Sequence, residues 1–224
     1  MIMSPTLGEL QTFVWGSSME IVKIHERLLS VGAKPLREGQ APTSKVRVDE
    51  FERTWRLKLP VDYREFLIAC GAPLSFTNSV WYRSDTPNPW LDEGKGILSM
   101  LYGLDGGRYD LNKVRGTYQG RIADNLVVFA DAEGGNKLCL SVEPTTPGEV
   151  FFWDHEGETG PDDRSNLYHL GESFGKFVCE QLLVVPDDPE APDRAPVKEW
   201  YDPSLLRQFQ QMKNEGKRRP KGQK

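Results

Sequence analysis

The stretch "VDEFERTWRLKLPVDYREFLIACGAP", residues 48–73, contains two apolar patterns of helical period, separated by a short interruption. In the first pattern Val48, Phe51 and Trp55 share one face with Thr54, which predicts a helix from about Val46 to Arg56. The segment "LKLP" then interrupts the pattern. The stretch therefore predicts two consecutive amphipathic helices rather than one long helix.

Pro60 suits the first turn of the second helix, because a proline there has no N–H that the helix needs. Gly71 is a typical helix stop. Between them the apolar side chains recur at positions i, i+3, i+4 and i+7: Tyr63, Phe66, Leu67 and Cys70.

After Gly71 the chain changes to short segments rich in β-branched and aromatic residues, bounded by turn clusters. These predict a succession of strands: "VWYRS", "GILSMLYGL", "NLVVFAD", "KLCLSV" and "EVFFWDH". "DAEGGN", residues 131–136, is a predicted hairpin turn, because Gly134 and Gly135 accept positive φ. "SFGKFVCEQLL", residues 173–183, predicts a closing helix capped by Ser173.

The remaining segments set the predicted domain boundaries. Residues 1–45 form an N-terminal extension with one helix over 18–31, and residues 46–185 form the main domain. Residues 186–224 combine a Pro-rich linker, a short helix beginning at Pro203 and a basic tail.

The sequences of three segments, in this order, resemble those of the SUKH superfamily, which has the Smi/Knr-like fold. The first is the Glu-x-x-Trp and Leu-Pro-x-x-Tyr-x-x-Phe-Leu pattern of residues 52–67. The second is the pair of hairpins ending in "FFWDHE", and the third is the Ser-Phe-x-x-Phe helix. The resemblance covers about residues 46–183. It implies an α+β fold, a bent antiparallel sheet flanked by helices, and no established catalytic site. It also implies a role as a bacterial immunity protein that binds a toxin, or as a regulatory or scaffold module.

Charge and composition indicate the kind of partner. The net charge of −5 conceals a basic end, since residues 213–224 hold six basic residues and one acid. Residues 131–163 hold nine acids and one base. An acidic surface attracts basic proteins and disfavours phosphate backbones, so we expect a basic partner and no specific nucleic acid.

The chain begins without a signal-peptide pattern, and its apolar runs are too short to span a bilayer. Cys70, Cys139 and Cys179 are odd in number and lie far apart, which predicts reduced core residues. We therefore expect a cytoplasmic protein without a membrane partner.

The run of Asp154, His155 and Glu156 has three interpretations: a metal site, a catalytic cluster of a hydrolase, or a partner-binding edge. A zinc site needs three or four ligands, and the chain has only His25 and His169 besides His155. We predict no cofactor, no metal and no enzymatic activity. The run then presents Asp154 and Glu156 to a partner.

The predicted partner-binding set also includes side chains outside this run. Asp131 and Glu133 lie in or beside the hairpin turn, and Trp90 lies in a Pro-rich loop, where a large aromatic can anchor a contact. Trp81 is the second aromatic candidate. The expected partner of the whole set is a toxin domain, such as a basic nuclease.

Overall fold

The computed structural model describes residues 20–37, 43–84 and 86–185. The predicted Pro-rich linker, the short helix after it and the basic tail lie outside the described residues. Within the described part, no helix has both the length and the apolar character needed to cross a bilayer.

Residues 48–73, the stretch that decides the fold, form the two predicted helices. We call these residues the decisive stretch. α2 spans Lys45–Trp55, and Ser44 caps it by accepting a hydrogen bond from a backbone N–H of its first turn. α3 spans Val61–Cys70 and ends at Gly71, whose φ is +55°. A side chain at Gly71 would place its Cβ 2.1 Å from a neighbouring backbone nitrogen. Residues 20–30 form a preceding helix, α1, as the sequence also predicts.

The buried carboxylate of Glu52 stabilises the segment that connects α2 to α3. Glu52 is 4% exposed, and its Oε1 accepts a hydrogen bond from the backbone N–H of Leu59 at 2.9 Å. Its Oε2 lies 3.4 Å from Nζ of Lys58 and 3.5 Å from Nε of Arg64. Because a buried charge is costly unless it is paired, these contacts fix the path of the chain from one helix to the next.

Nine strands form one antiparallel sheet in the described residues. All five segments predicted as strands are confirmed, as β3 to β7, and four further strands were not predicted. The strands are β1 (Ala33–Pro35), β2 (Leu74–Phe76), β3 (Val80–Arg83), β4 (Lys95–Leu101), β5 (Leu126–Ala132), β6 (Lys137–Ser141), β7 (Val150–Trp153), β8 (Leu167–Gly171) and β9 (Leu182–Val184).

Two further helical segments follow α3 along the chain. α4, Leu111–Tyr118, was not predicted; it packs beside β5 and is capped by Asp110. α5, Phe174–Lys176, continues into a single π-helical turn, Phe177–Gln181. The predicted closing helix is thus confirmed, but it ends earlier than expected and leads into β9.

The sheet branches and bends. Its main path runs β1-β2-β4-β5-β6-β7-β8, while β3 pairs with another part of β4 and carries β9 on its far side. The hydroxyl of Thr86 donates to the carbonyl of His169, and Nε2 of Gln181 donates to the carbonyl of Leu170 at 2.6 Å. These bonds tie the β3–β9 branch to β8, at the end of the main path. The result is the predicted α+β fold with a bent antiparallel sheet.

The core is centred on Phe129 of β5, which is fully buried. Its ring lies 6.0 Å from Tyr63, 5.7 Å from Phe174 and 5.9 Å from Phe177, in edge-to-face contacts. α3 and the closing helix are therefore packed on one face of the sheet through aromatic rings. The three cysteines are free; Cys139 is fully buried, whereas the other two are half-buried at the margin of the core.

Candidate functional site

The Asp154 side chain shapes a turn. β7 ends at Trp153, and the carboxylate of Asp154 accepts hydrogen bonds from the backbone N–H groups of Glu156 and Gly157, each at 3.0 Å. Asn166 donates its side-chain amide to the Asp154 carbonyl at 2.8 Å. Asp154 is only 3% exposed. The expectation that its carboxylate lies at the surface is therefore wrong, because the chain has already turned at this position.

We expect replacement of Asp154 by alanine to lower the free energy of unfolding by about 1–3 kcal/mol, because two backbone N–H groups lose their acceptor. For a domain of this size that is a fall of roughly 2–12 °C in the thermal midpoint. The control is Glu156→Ala at an exposed position, which should change the free energy by no more than about 0.5 kcal/mol. Equal midpoints for the two variants would contradict the buried, turn-forming role of Asp154.

His155 joins this turn to the hairpin turn between β5 and β6. Both its backbone N–H and its Nδ1 contact Oδ1 of Asn136, at 3.1 and 2.9 Å. The amide oxygen can only accept, so Nδ1 carries the proton. The ring also lies over Gly135, where an added Cβ would come within 3.3 Å of it. Turn 133–135 and turn 154–157 thus meet at one end of the sheet, and we call them the joined turns.

The other described histidines lie elsewhere. His169 on β8 packs edge-to-face on Phe151, and Nδ1 of His25 lies 3.7 Å from the thiol of Cys70. Within residues 20–37, 43–84 and 86–185, no three His, Cys, Asp or Glu side chains are grouped as metal ligands. Among the described residues, the hydrogen-bond partner of the His155 ring is the amide of Asn136 and not a carboxylate.

Asp131 forms an internal ion pair. Its Oδ1 lies 2.7 Å from Nζ of Lys137, a lysine that is only 7% exposed. The same ammonium donates to the carbonyl of Gly135 at 2.8 Å and lies over the ring of Tyr118. Burial raises the pKa of Tyr102, and a hydrogen bond to Asp131 raises it further. The Asp131 carboxylate is thus committed to contacts inside the protein, although it was predicted to face a partner.

The carboxylate of Glu158 is also paired inside the protein. Its Oε1 accepts from Nε of Arg121 at 2.8 Å, and this hydrogen bond holds the pKa of Glu158 below its usual value of 4.5. The guanidinium of Arg121 lies over the rings of Tyr118 and Trp153, at 5.1 and 5.6 Å from their centroids. Arg121, just after α4, therefore contacts the residues on either side of turn 154–157, through an ion pair with Glu158 and a cation–π contact with Trp153.

Glu133 and Glu156 are the predicted acids that remain available at the surface. Both are exposed, one in each of the joined turns, and neither carboxylate has an ion-pair partner among the described residues. Asp162, just beyond the joined turns, is exposed as well, whereas Asp163 accepts from the hydroxyls of Thr159 and Ser165. The acidic stretch thus offers a smaller set of acids than the sequence suggests.

The two predicted tryptophans differ in environment. Trp81 is half-buried on β3, opposite Ile97 of β4 and Leu183 of β9, on the sheet face away from the buried Tyr82. The turn 133–135 contacts β4, so Trp81 lies one strand away from the joined turns. Trp90 is 45% exposed in the loop between β3 and β4, and no described contact joins it to the acids.

The comparisons with known proteins identify the family. The model of the SMI1/KNR4 family (SUKH-1) matches residues 42–180, from the start of α2 almost to the end of the π-helical turn. The chain belongs to this family. SUKH proteins are commonly immunity proteins, and the family is generally one of non-enzymatic interaction proteins.

Two individual proteins are similar to the chain. One is a SPbeta prophage-derived uncharacterized protein, YokK, of Bacillus subtilis (strain 168). It is 28% identical over 170 residues, which cover 71% of this chain and 85% of the relative. The other is a protein of known crystal structure from Pseudomonas syringae pv. tomato, 14% identical, with a TM-score of 0.41. That match covers 68% of this chain and 91% of the other.

Proposed function

We propose that this protein is a cytoplasmic immunity protein that binds a toxin domain and blocks it. The observation that carries the proposal is family membership, since the matched region includes both helices of the decisive stretch and the joined turns. The B. subtilis relative is described as prophage-derived. This origin favours a role in bacterial competition over the regulatory role of eukaryotic members.

The joined turns form the centre of the proposed interface. Glu133 and Glu156 have no ion-pair partner among the described residues, and His155, held by Asn136, joins the two turns that carry them. Trp81, one strand away, and Trp90, in the loop between β3 and β4, are the proposed aromatic anchors of the interface. A basic toxin, such as a nuclease with a cationic substrate-binding surface, is the partner that this charge attracts.

A non-enzymatic role is supported by the arrangement of the three residues that a hydrolase would need. The Asp154 carboxylate is occupied by two backbone N–H groups, and His155 is held by an amide. Glu156 is exposed on the turn. Asp154 is therefore occupied as an acceptor within its own turn, and His155 is oriented by an amide rather than by a carboxylate, so the run is not arranged as an acid that orients a catalytic histidine.

The test is to express the open reading frames beside this gene, identify one whose product kills cells, and co-express that toxin with this protein. We expect cells that express the toxin to survive only when this protein is present, and the two purified proteins to form a stable complex. A toxin domain of the same class from an unrelated locus is the control and should still kill. If cells that express the neighbouring toxin die even when this protein is present, and the two purified proteins form no complex, the proposal is refuted. A deletion phenotype in cells without the toxin would point to the regulatory alternative.

A further inference from the structure

A groove of about 1230 Å³ lies between the end of α2, the end of α4, strand β5 and the segment that follows β6. Sites for small molecules are typically about 300–1,000 Å³. The groove is therefore large enough to hold several residues of an extended chain.

The groove has an apolar floor that the described residues leave partly open. Trp55, Leu57 and Val142 are half-buried, while the deeper lining is fully buried. The indole N–H of Trp55 donates to Oδ1 of Asn112 at 3.0 Å, which fixes the ring against α4. An apolar side chain from a partner would find a preformed surface here.

One wall of the groove carries unpaired positive charge. Arg53 and Arg56 are exposed, and neither guanidinium has a hydrogen-bond or ion-pair partner among the described residues. The acids on the same wall are already engaged, because Asp49 and Glu52 both contact Arg64. The negative charge of this wall is thus neutralised, whereas part of its positive charge is not.

A third guanidinium lies deeper in the groove. Arg115 lies over the ring of Trp55, 5.2 Å from its centroid, and donates to the carbonyls of Leu126 at 2.8 Å and Asp124 at 2.7 Å. Both acceptors are backbone carbonyls, and the carboxylate of Asp124, which also lines the groove, attracts the same guanidinium. Arg115 is therefore partly compensated, whereas Arg53 and Arg56 are not. On the opposite wall, the carboxylate of Glu143 accepts from the amide of Asn125 at 2.8 Å.

We propose that this groove binds an extended acidic segment of the protein partner, with an apolar side chain on the floor and carboxylates on Arg53 and Arg56. Guanidinium groups bind carboxylates through paired, charge-assisted hydrogen bonds, so a carboxylate is the group this wall selects. The inference rests on the proposed function, because it names a second part of the same toxin-binding surface.

The groove lies close to the turn that follows β7. Tyr118 lines the groove, and its ring packs edge-to-face on Trp153, the residue directly before the Asp154 turn. Arg121 in the same connection pairs with Glu158. The proposed interface combines the exposed acids of the joined turns, for basic residues of the toxin, with the two unpaired arginines of the groove, for an acidic segment.

The test uses two synthetic peptides rather than the toxin. The acidic peptide is acetyl-Gly-Glu-Leu-Asp-Gly-amide, and its counterpart has lysine at both acidic positions. Nuclear magnetic resonance titrations of the full chain follow the indole signal of Trp55 and the backbone signals of residues 53–58. The double variant Arg53→Gln/Arg56→Asn removes two charges, and asparagine is tolerated at the positive φ of Arg56, 52°. The control, Lys23→Gln/Lys34→Gln, removes two exposed charges outside the groove.

We expect the acidic peptide to cause saturable shifts and to bind at least about tenfold more tightly than the lysine peptide. The double variant should lose this preference, and the control should keep it, with both thermal midpoints close to that of the wild type. Absence of saturable shifts, equal binding of the two peptides, or an unaltered preference in the double variant would overturn the inference. The toxin plays no part in this experiment, so its outcome is separate from that of the co-expression test.

Discussion

Replacing Phe129 by alanine should lower the free energy of unfolding by about 3–5 kcal/mol, the range typical of a large aromatic removed from a core. The ring is fully buried and contacts Tyr63, Phe174 and Phe177, which come from two helical segments. Their edge-to-face contacts would be lost, and a cavity would open beneath both helices. Since small domains have only about 5–15 kcal/mol of stability, the variant should be close to unfolding at growth temperature.

The measurements are chemical denaturation for the free energy of unfolding and thermal denaturation for the midpoint, both followed by circular dichroism. The thermal midpoint is expected to fall by roughly 6–20 °C. The matched control is Phe151→Ala on β7, where the same truncation removes a half-buried ring that packs on His169. If Phe129→Ala were no more costly than Phe151→Ala, the core would not be centred on β5.

Reversing the exposed charge on the joined turns should weaken toxin binding by tenfold or more, which is about 1.4 kcal/mol of binding free energy. The variant is Glu133→Lys with Glu156→Lys, which puts two positive charges where a basic toxin would approach. Charges at the rim of an interface act mainly on the association rate, and salt screens them. The loss should therefore be larger at low salt. Folding stability should change by no more than about 0.5 kcal/mol per site.

The control reverses two exposed acids away from the joined turns, Glu26→Lys on α1 and Glu50→Lys on α2. It has the same net charge as the test variant, so any difference between them reports on position. The affinities of both variants for the toxin are measured at two salt concentrations. Unchanged affinity of the test variant at both would mean that the joined turns are merely solvated and that the toxin binds elsewhere on the surface.

Strong periodicity made α2, α3 and the central strands predictable. α4 escaped prediction because it has eight residues and buries only Leu111 and Val114, too few for a clear helical pattern. β8 escaped because its neighbours Tyr168 and His169 are both half-buried, so it lacks the alternation of a one-sided strand. Elements of this kind owe their structure to tertiary contacts rather than to their own sequence.

Two patterns in the sequence do indicate the contacts observed at the joined turns. Across the hairpin turn Asp131 pairs with Lys137, and opposite charges on paired strand positions attract one another. Asp154 stands three residues before Gly157, a pattern typical of a carboxylate that caps its own turn. The contact between His155 and Asn136 spans separate turns, so no local pattern could reveal it.

The pairing of β9 with β3 has a consequence for the timing of synthesis. Val80 pairs with Val184, about a hundred residues later in the chain, and Phe174 and Phe177 cover Phe129 from the same late segment. At roughly 5–20 residues per second, a ribosome makes this segment about 5–20 s after β3. Until then the nascent chain exposes the aromatic side of its sheet. A transcript cut short before the codon for Phe174 would therefore yield an unprotected, aggregation-prone fragment rather than a partly active domain.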